Sequence, residues 1–504
     1  TSGTENTALG SFSTSALTEG NYNVALGKGT LESDTLGSRS TAVGTNALQV
    51  QNFTTATNVY NIAVGHSAGA AVTTGVANTL IGGQAGDALT DADSNVAIGR
   101  GALSTDTLGS KSVALGQDAL NAQNFTTATD TQNVAVGFSA GLVVSTGVKN
   151  TLIGSYAGSA QTTADNNTFV GTFVADSITT GFANVAVGGG SSYAALGSDT
   201  KGKFSTAIGF GALTAQNFTT ETQTNNTACG YFAGGVNATG TGNTYLGSLA
   251  GDDSNDGANN VAVGFHAGGG NHGNNNVFVG EGAAIAATGG TNTVVGSGAG
   301  GNGSFAGSGN TMLGRNAGSG ITSGSNNICI GNATSVNSAA QDNGISLGID
   351  INSAANQFAF GKASNVVTNT FTSNASFSRS SDERLKTNIS SDSLGLDFIN
   401  DLRTVKYKWK SSQDLDADDA QLSKLYNADE NQMDTDVVMH GLIAQEVKAA
   451  LDTAGVDTFN GWSVDSDGVQ QISREMFVIP LVKAVQELST KLDAALARIA
   501  TLEG

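Results

Sequence analysis

The sequence predicts a mostly β protein, a repetitive parallel β-roll or solenoid followed by a small α+β domain that ends in a coiled-coil helix. Three observations support this fold class. A short motif recurs through the first 350 residues, glycine makes up 69 of the 504 residues, and the composition changes near residue 381. Only 13% of the residues are charged, against about 25% in ordinary globular domains. A core is therefore expected to be built from small side chains.

The repeated motif is Asn or Ser, three mainly apolar residues and then Gly, as in Asn23–Gly27 and Asn133–Gly137. Its 20 copies are mostly 17 residues apart, with some steps of 16, 18 or 21 residues. Such a period is typical of a solenoid. Seventeen residues can form two short strands and two turns, and stacked coils lie about 4.8 Å apart. The motif therefore predicts a shaft of stacked coils over residues 1–350.

The side chains of each motif alternate between two faces. The first and third residues after the Asn are taken as Val, Leu or Ile and share one face, whereas the middle residue, usually Ala or Thr, faces the other way. A thin coil buries little surface against a backbone entropy cost of about 1–2 kcal/mol per residue. We expect the Ala-lined face to be buried by self-association, as a homotrimer.

Over residues 6–348 the repeat resembles the left-handed parallel β-roll in the heads of trimeric autotransporter adhesins. Repeats in that family also have the pattern Asn-x-Ala-Val/Ile-Gly, which occurs here in Asn61–Gly65 and Asn260–Gly264. The resemblance implies a trimeric assembly with a role in surface attachment.

A second, longer repeat overlies the first. Gln51–Thr55 recurs as Gln123–Thr127 and Gln216–Thr220, each within a 21-residue step. These insertions are predicted to protrude as loops at one corner, where binding sites often lie. Their aromatic residues either are exposed and stack on a sugar of a receptor, or plug a widened coil or pack against a neighbouring chain. These residues are Phe53, Phe125 and Phe218.

The pattern stops near residue 350. Residues 351–380 are rich in Ser and Asn, which favours a neck of extended strands. Residues 381–504 hold 34 charged residues, against 30 in the preceding 380, and are predicted to form a separate domain with a polar loop over residues 411–436.

The last segment of this domain has apolar residues at alternating spacings of four and three, which predicts a three-stranded coiled coil or a helix packed on its own domain. These residues are Leu481, Val485, Leu488, Leu492, Ala495, Ile499 and Leu502.

Three segments of this domain resemble the C-terminal intramolecular chaperones of phage tailspikes, endosialidases and other fibres, which form a serine peptidase family. They are Ser381–Lys386, Gly441–Val447 and Leu481–Leu488. The resemblance implies that the domain trimerises, guides folding of the upstream β-structure, and cleaves itself off between Ser380 and Ser381 with a Ser381–Lys386 dyad.

The residue types suit these roles. Ser381 would attack the carbonyl of Ser380, and Lys386 would have to be neutral to accept the hydroxyl proton, which requires a lowered pKa. Arg384 could supply positive charge or hold the carbonyl oxygen. On a helix, residues five apart do not face each other, so the segment has to turn or Lys386 has to act on another subunit. The alternative is a solvated helix start with Ser381 as N-cap.

The remaining features exclude several function classes. A net charge of −20 argues against nucleic acid as a partner. The sequence contains no run of 18 apolar residues, so no membrane-spanning helix is predicted. Its four histidines are scattered, so no metal site is predicted. No cofactor is expected.

Three functions stay open. The first is a trimeric viral tail fibre, assembled in the host cytoplasm and located in the virion, with other virion proteins and a host receptor or glycan as partners. The second is a cell-surface adhesin. The third is a polysaccharide-degrading tailspike enzyme.

Overall fold

The computed structural model describes residues 3–301, 303, 305–363, 365–371, 378–431, 433 and 435–503. The chain divides into two compact units, Thr1–Ser380 and Ser381–Gly504. The first unit is the predicted β-solenoid, and its main sheet contains 23 described strands. The second is a small α+β unit. The predicted fold class is thereby confirmed for both parts of the chain.

Twenty strands of the main sheet coincide with the 20 motif copies and pair in parallel, each with the strand of the next coil. In chain order, β1 to β20 are Thr7–Leu9, Val24–Leu26, Thr41–Val43, Ile62–Val64, Thr79–Ile81, Val96–Ile98, Val113–Leu115, Val134–Val136, Thr151–Ile153, Thr168–Val170, Val185–Val187, Thr206–Ile208, Thr227–Cys229, Thr244–Leu246, Val261–Val263, Val277–Val279, Thr293–Val295, Thr311–Leu313, Ile328–Ile330 and Ile345–Ile349. Equivalent motif positions lie opposite each other, as Thr7 does to Val24.

Three further strands, β21 (Gln357–Lys362), β22 (Asn365–Thr370) and β23 (Ser378–Arg379), follow the last motif copy. Strand β21 continues the parallel ladder, whereas β22 and β23 pair antiparallel. Two-residue strands form short parallel pairs elsewhere on the coils; these are Gly37–Ser38 with Thr57–Asn58, Gly109–Ser110 with Thr129–Asp130, Gly202–Lys203 with Thr222–Gln223, and Ser335–Val336 with Asn352–Ser353. The segment predicted as a neck therefore extends the sheet.

The orientation predicted for the motif strands is wrong. The middle residue, such as Ala63, is fully buried inside the coil, while the flanking Ile62 is 41% exposed. The middle position is Ala in most motif copies and a larger buried residue such as Phe169 or Phe278 in others, and residues outside the motif strands such as Leu48 and Leu103 complete the core. The aliphatic residues consequently form a partly exposed row along the outside of the main sheet.

Glycine is required where the coils are tightest. The motif glycine Gly65 has a φ of +145°, and a Cβ there would lie 2.3 Å from the carbonyl oxygen of Gly82. At Gly251 a Cβ would lie 2.3 Å from the ring of Tyr245, one of the few bulky residues inside a coil. A larger side chain would collide with the next coil at Gly65 and with the interior of its own coil at Gly251.

The motif Asn side chains form an internal ladder. The Oδ1 atom of Asn61 accepts the backbone N–H of Asn78 at 2.8 Å, and Asn78 Oδ1 accepts that of Asn95 at 2.9 Å. Asn78 Nδ2 donates to the carbonyl of Ala92 at 2.8 Å. Each amide thereby satisfies buried backbone groups on two coils, which explains why Asn recurs in the motif.

The longer repeat continues this ladder in the coils where Ser replaces the motif Asn. In the third copy, Gln216 Nε2 donates to Ser205 Oγ at 2.8 Å and to Asp199 Oδ2 at 2.6 Å. Gln216 Oε1 accepts from Asn226 Nδ2 at 2.9 Å. A serine hydroxyl is too short to span two coils, and the inserted Gln side chain supplies the missing amide. The same arrangement joins Gln51 to Ser40 and Gln123 to Ser112.

Of the two alternatives for the aromatic residues in these insertions, exposure for stacking on a sugar is not found. Phe53, Phe125 and Phe218 are only 7%, 7% and 8% exposed, because each follows the buried Gln into the coil. The threonines that come after them, such as Thr54 and Thr55, are exposed. In the single chain the three rings are therefore packed inside widened coils. They present no exposed face on which a sugar could stack.

Replacing Gln216 by Leu is expected to destabilise the local coils by about 1–3 kcal/mol at neutral pH, because buried acceptors lose their donor. Burial raises the pKa of Asp199, and the hydrogen bond from Gln216 opposes this effect. Without the hydrogen bond from Gln216, the folded state favours the neutral carboxyl of Asp199 more strongly. The loss of stability caused by the substitution should therefore become smaller as the pH falls and Asp199 becomes protonated. Amide hydrogen exchange over residues 199–226 at pH 7 and pH 4 measures the effect. Thr219→Ala, an exposed change in the same insertion, serves as control, and equal exchange in both variants would contradict the role of Gln216.

The second unit contains helices α1 (Leu396–Asn400), α2 (Ala444–Ala454) and α3 (Val478–Glu503). It also has two antiparallel strand pairs, β24 (Val405–Tyr407) with β25 (Met439–Gly441) and β26 (Trp462–Val464) with β27 (Gln470–Ile472). The core of this unit is small, and its buried residues are Leu394, Phe398, Val447, Ala450, Leu451 and Phe477. Residues 411–436 contain only short helical turns among their described residues.

Helix α3 contacts its own unit through its first turns only, where Pro480 and Ala484 are buried. The seam predicted for a coiled coil is uncovered, since Leu488 is 54% exposed and Leu492 57% exposed. The alternative of a helix packed along its length on its own domain is therefore not what the single chain shows.

Candidate active site

The second unit begins with a tight turn formed by Ser381–Lys386. Residues Glu383–Leu385 form one turn of 3₁₀ helix, and the Asp382 side chain caps it by accepting the backbone N–H of Arg384 at 2.9 Å. Lys386 then leaves the turn in an extended conformation, with φ −118° and ψ 149°. The chain therefore reverses direction within six residues instead of continuing as an α-helix.

This reversal brings the two candidate catalytic side chains into contact. Lys386 Nζ lies 2.7 Å from Ser381 Oγ, the distance that a nucleophile and its general base require. The difficulty posed by helical spacing disappears, because the tight turn and the extended Lys386 replace an α-helix. The contact forms within one chain.

Arg384 is engaged by a residue that the sequence analysis did not single out. Its guanidinium binds the carboxylate of Asp382 through Nε at 3.0 Å and Nη2 at 2.7 Å. This pairing holds the pKa of Asp382 below its usual value and raises that of Arg384. In the single chain Arg384 thus stabilises the turn and does not hold the Ser380 carbonyl. An Asp in an N-cap position, two residues before Arg384, is the pattern that could have predicted this.

The site is open to solvent. Ser380, Ser381 and Lys386 are all exposed, whereas a neutral lysine base normally depends on burial or neighbouring positive charge. The bond between Ser380 and Ser381 is also the boundary between the two compact units. The single chain therefore supplies the contact between nucleophile and base, but not the desolvation.

Comparison with known proteins agrees with this boundary. Residues 381–456 match the family model described as the chaperone of endosialidase. The C-terminal unit is similar to that chaperone. The match begins at Ser381 and includes Gly441–Val447, while the Leu481–Leu488 segment lies beyond it. No curated protein and no solved structure matches the chain.

Other kinds of site are not evident in the described part of the chain. Among the described residues, no three His, Cys, Asp or Glu side chains are grouped closely enough to hold a metal ion. None of the helices described is both long and apolar enough to cross a membrane. Cys229 and Cys329 are both free; Cys329 is buried, whereas Cys229 is partly exposed.

Proposed function

We propose that this chain is the subunit of a trimeric viral fibre whose C-terminal unit directs assembly of the solenoid shaft and then cleaves itself off before Ser381. The observation that carries the proposal is the contact between Ser381 and Lys386 at the unit boundary, where the match to the chaperone of endosialidase also begins.

Two uncovered apolar surfaces support self-association. In the second unit, the seam of α3 adjoins an open groove of about 720 Å³ that is lined by Leu402, Val405, Leu442 and Phe477 together with Leu481. In the first unit, the row of aliphatic side chains outside the main sheet includes Ile62, which is 41% exposed, and Leu115, also 41% exposed. Apolar surfaces of this extent are rarely left open to water.

Light scattering tests the assembly. The Ser381→Ala variant, which should stay uncleaved, is expected to have about three times the mass of one chain, which is 50.4 kDa. A folded protein with the mass of a single chain would contradict the trimer.

The proposed cleavage follows from the geometry of the dyad. Neutral Lys386 accepts the proton of Ser381 Oγ, which attacks the carbonyl carbon of Ser380. The carbon–nitrogen bond breaks, and the Ser381 amine takes the proton back from Lys386. Water then hydrolyses the ester between Ser380 and Ser381 Oγ, leaving a carboxylate on Ser380 and Ser381 as a new N-terminus. Neighbouring chains of the trimer would bury Lys386, so that cleavage follows assembly.

We propose that the shaft contributes to host attachment from a location in the virion, with a glycan as the receptor. An aromatic cluster supports this role better than the three buried phenylalanines do. Tyr193 and Tyr231 are 50% and 54% exposed, and Phe210 is 41% exposed. The ring of Phe210 stacks on that of Tyr231 at 6.0 Å between centroids. Rigid, exposed rings bearing hydroxyl groups are suited to stacking on sugars with little loss of conformational entropy.

Replacing both Tyr193 and Tyr231 by Ala is expected to reduce adsorption to host cells or glycans by tenfold or more, because the stacking faces disappear. The matched control is Tyr60→Ala, which removes an exposed ring (55%) outside the cluster. Unchanged adsorption would contradict the site. A double variant that no longer trimerises would show instead that the cluster lies between chains.

A further inference from the structure

Two neighbouring coils of the shaft contain buried polar side chains that lack the partners found in other coils. The seventh residue after the motif glycine points into the coil, and it is apolar at Leu89 and Val144 but polar at Gln51 and Asn237. The amide of Gln51 donates to Asp34 Oδ2 at 2.6 Å, and Asn237 accepts the backbone N–H of Gly240 at 2.9 Å. The next coil has Ser254 there, and the coil after that has His272 one position later. Both are 0–1% exposed.

Several buried polar atoms in these coils have no protein partner among the described residues. They include the Tyr245 hydroxyl, Ser254 Oγ and His272 Nε2. The rings of Tyr245 and His272 lie 6.5 Å apart between centroids. The Tyr245 hydroxyl is close enough to Ser254 for the serine to affect its pKa, which burial nevertheless raises to about 12. Unpaired polar atoms at this depth cost free energy unless something small binds them.

One amide donor of the Asn ladder lacks a partner at the same place, although Asn260 Oδ1 still accepts the backbone N–H of Asn276 at 2.8 Å. Asn243 Nδ2 donates to the carbonyl of Gly257 at 2.8 Å, but Asn260 Nδ2 has no protein acceptor in the described structure. The coil that follows Asn260 is one residue shorter than the usual 17, and so is the coil after it, where Asn276 Nδ2 nevertheless donates to the carbonyl of Gly289 at 3.2 Å. The unpaired amide of Asn260 is therefore a local feature of this part of the interior.

We propose that Tyr245, Ser254 and His272 form an internal water-binding site, and that protonation of His272 opens the shaft at this site. His272 Nδ1 lies 3.4 Å from the carbonyl of Gly273, which favours the tautomer with hydrogen on Nδ1 and leaves Nε2 as an acceptor. A water molecule can donate to Nε2 and bridge the two hydroxyl groups. The three groups are neutral, which suits water better than a metal cation.

Protonation removes the acceptor on His272 and places a charge in the shaft. The groups that face the ring are Tyr245 and Phe278, whose ring centroid is 5.2 Å away. Burial, slightly opposed by the Gly273 carbonyl, lowers the pKa of His272 from its usual 6.5, with no charged side chain contributing. Because the folded state favours neutral His272, local stability is present above pH 6.5 and is lost as the pH falls below it.

A neighbouring carboxyl group titrates in the opposite sense. Asp252 lies 3.6 Å from His266, and burial raises its pKa to about 6, opposed by His266 and reinforced by Asp253. The folded state therefore favours protonated Asp252, which gains stability as the pH falls. The variant Asp252→Asn removes this opposing effect and isolates the contribution of His272.

Amide hydrogen exchange of the full-length protein tests the proposal. After correction for intrinsic rates, protection over residues 243–280 should fall between pH 7.5 and pH 5, while protection over residues 151–188 should not. Each unit of pKa difference allows up to about a tenfold increase in local opening. The fall should be larger in Asp252→Asn, and it should vanish in His272→Gln, which keeps a hydrogen-bond acceptor but does not titrate.

Two results would overturn the proposal, independently of trimer formation or cleavage. One is a fall in protection that is unchanged in His272→Gln, or that is equal in the two segments. The other is a high-resolution crystal structure in which the three side chains bond directly to one another without water. Water density touching His272 Nε2 and both hydroxyl groups would support the site.

Discussion

Replacing Ser381 by Ala is expected to abolish cleavage and to leave one chain of 50.4 kDa. The unmodified protein should yield residues 1–380 and 381–504, because Ser381 Oγ is the attacking atom and no other hydroxyl contacts Lys386 Nζ among the described residues. Intact mass measurement shows the two products, and N-terminal sequencing should place Ser381 first in the smaller one.

Two further variants separate the roles at this site. Lys386→Arg retains the positive charge, but arginine stays protonated and cannot accept the serine proton, so cleavage should also stop. Ser380→Ala should cleave normally, since the side chain of Ser380 has no part in the reaction. Cleavage of Ser381→Ala, or an unmodified trimer that remains full length indefinitely, would refute autoproteolysis while leaving the chaperone role intact.

Replacing Leu488 and Leu492 by Asp is expected to prevent trimer formation, and cleavage with it. Both side chains lie on the uncovered seam of α3, and charged groups buried between three helices would be strongly unfavourable. Size-exclusion chromatography with light scattering measures the mass, and gel electrophoresis measures the cleaved fraction.

The matched control places the same two charges on the opposite side of the helix. Thr490 and Ala497 are exposed and lie away from the seam, so Thr490→Asp with Ala497→Asp should assemble and cleave normally. If both double variants assemble alike, the seam is not the interface. If the seam variant fails to assemble but still cleaves, the dyad does not depend on the trimer.

The sequence was sufficient to predict the position of 20 coils, because each motif copy became one strand of the main sheet, but not the further parallel strand β21. It was not sufficient to predict which face points inward. Alternation shows that Ile62 and Val64 share a side opposite Ala63, but it does not show which side lies inside, and in the folded chain the middle residue is buried even where it is as large as Phe169. Hydrophobicity alone favoured the wrong face.

At the candidate site the sequence indicated the residues but not their contact. Whether Ser381 and Lys386 meet depends on the turn held by Asp382 and Arg384, and spacing rules for an α-helix do not describe that turn. The internal role of Gln216 was equally hidden, because its partners Ser205 and Asp199 lie 11 and 17 residues away in the sequence. No short-range sequence pattern links Gln216 to these two partners.

The Gln insertions have a consequence for how the three copies of the proposed trimer would align. Coils with the plain motif are nearly interchangeable, so a neighbouring chain displaced by one whole coil would meet almost the same aliphatic row. Coils that contain Gln51, Gln123 or Gln216 differ in length and outline from the rest. Their separations along the chain are unequal, at 72 and 93 residues, so only one alignment of the chains superposes all three. We expect deletion of all three insertions, with each Ser of the ladder restored to Asn, to yield shafts with staggered ends.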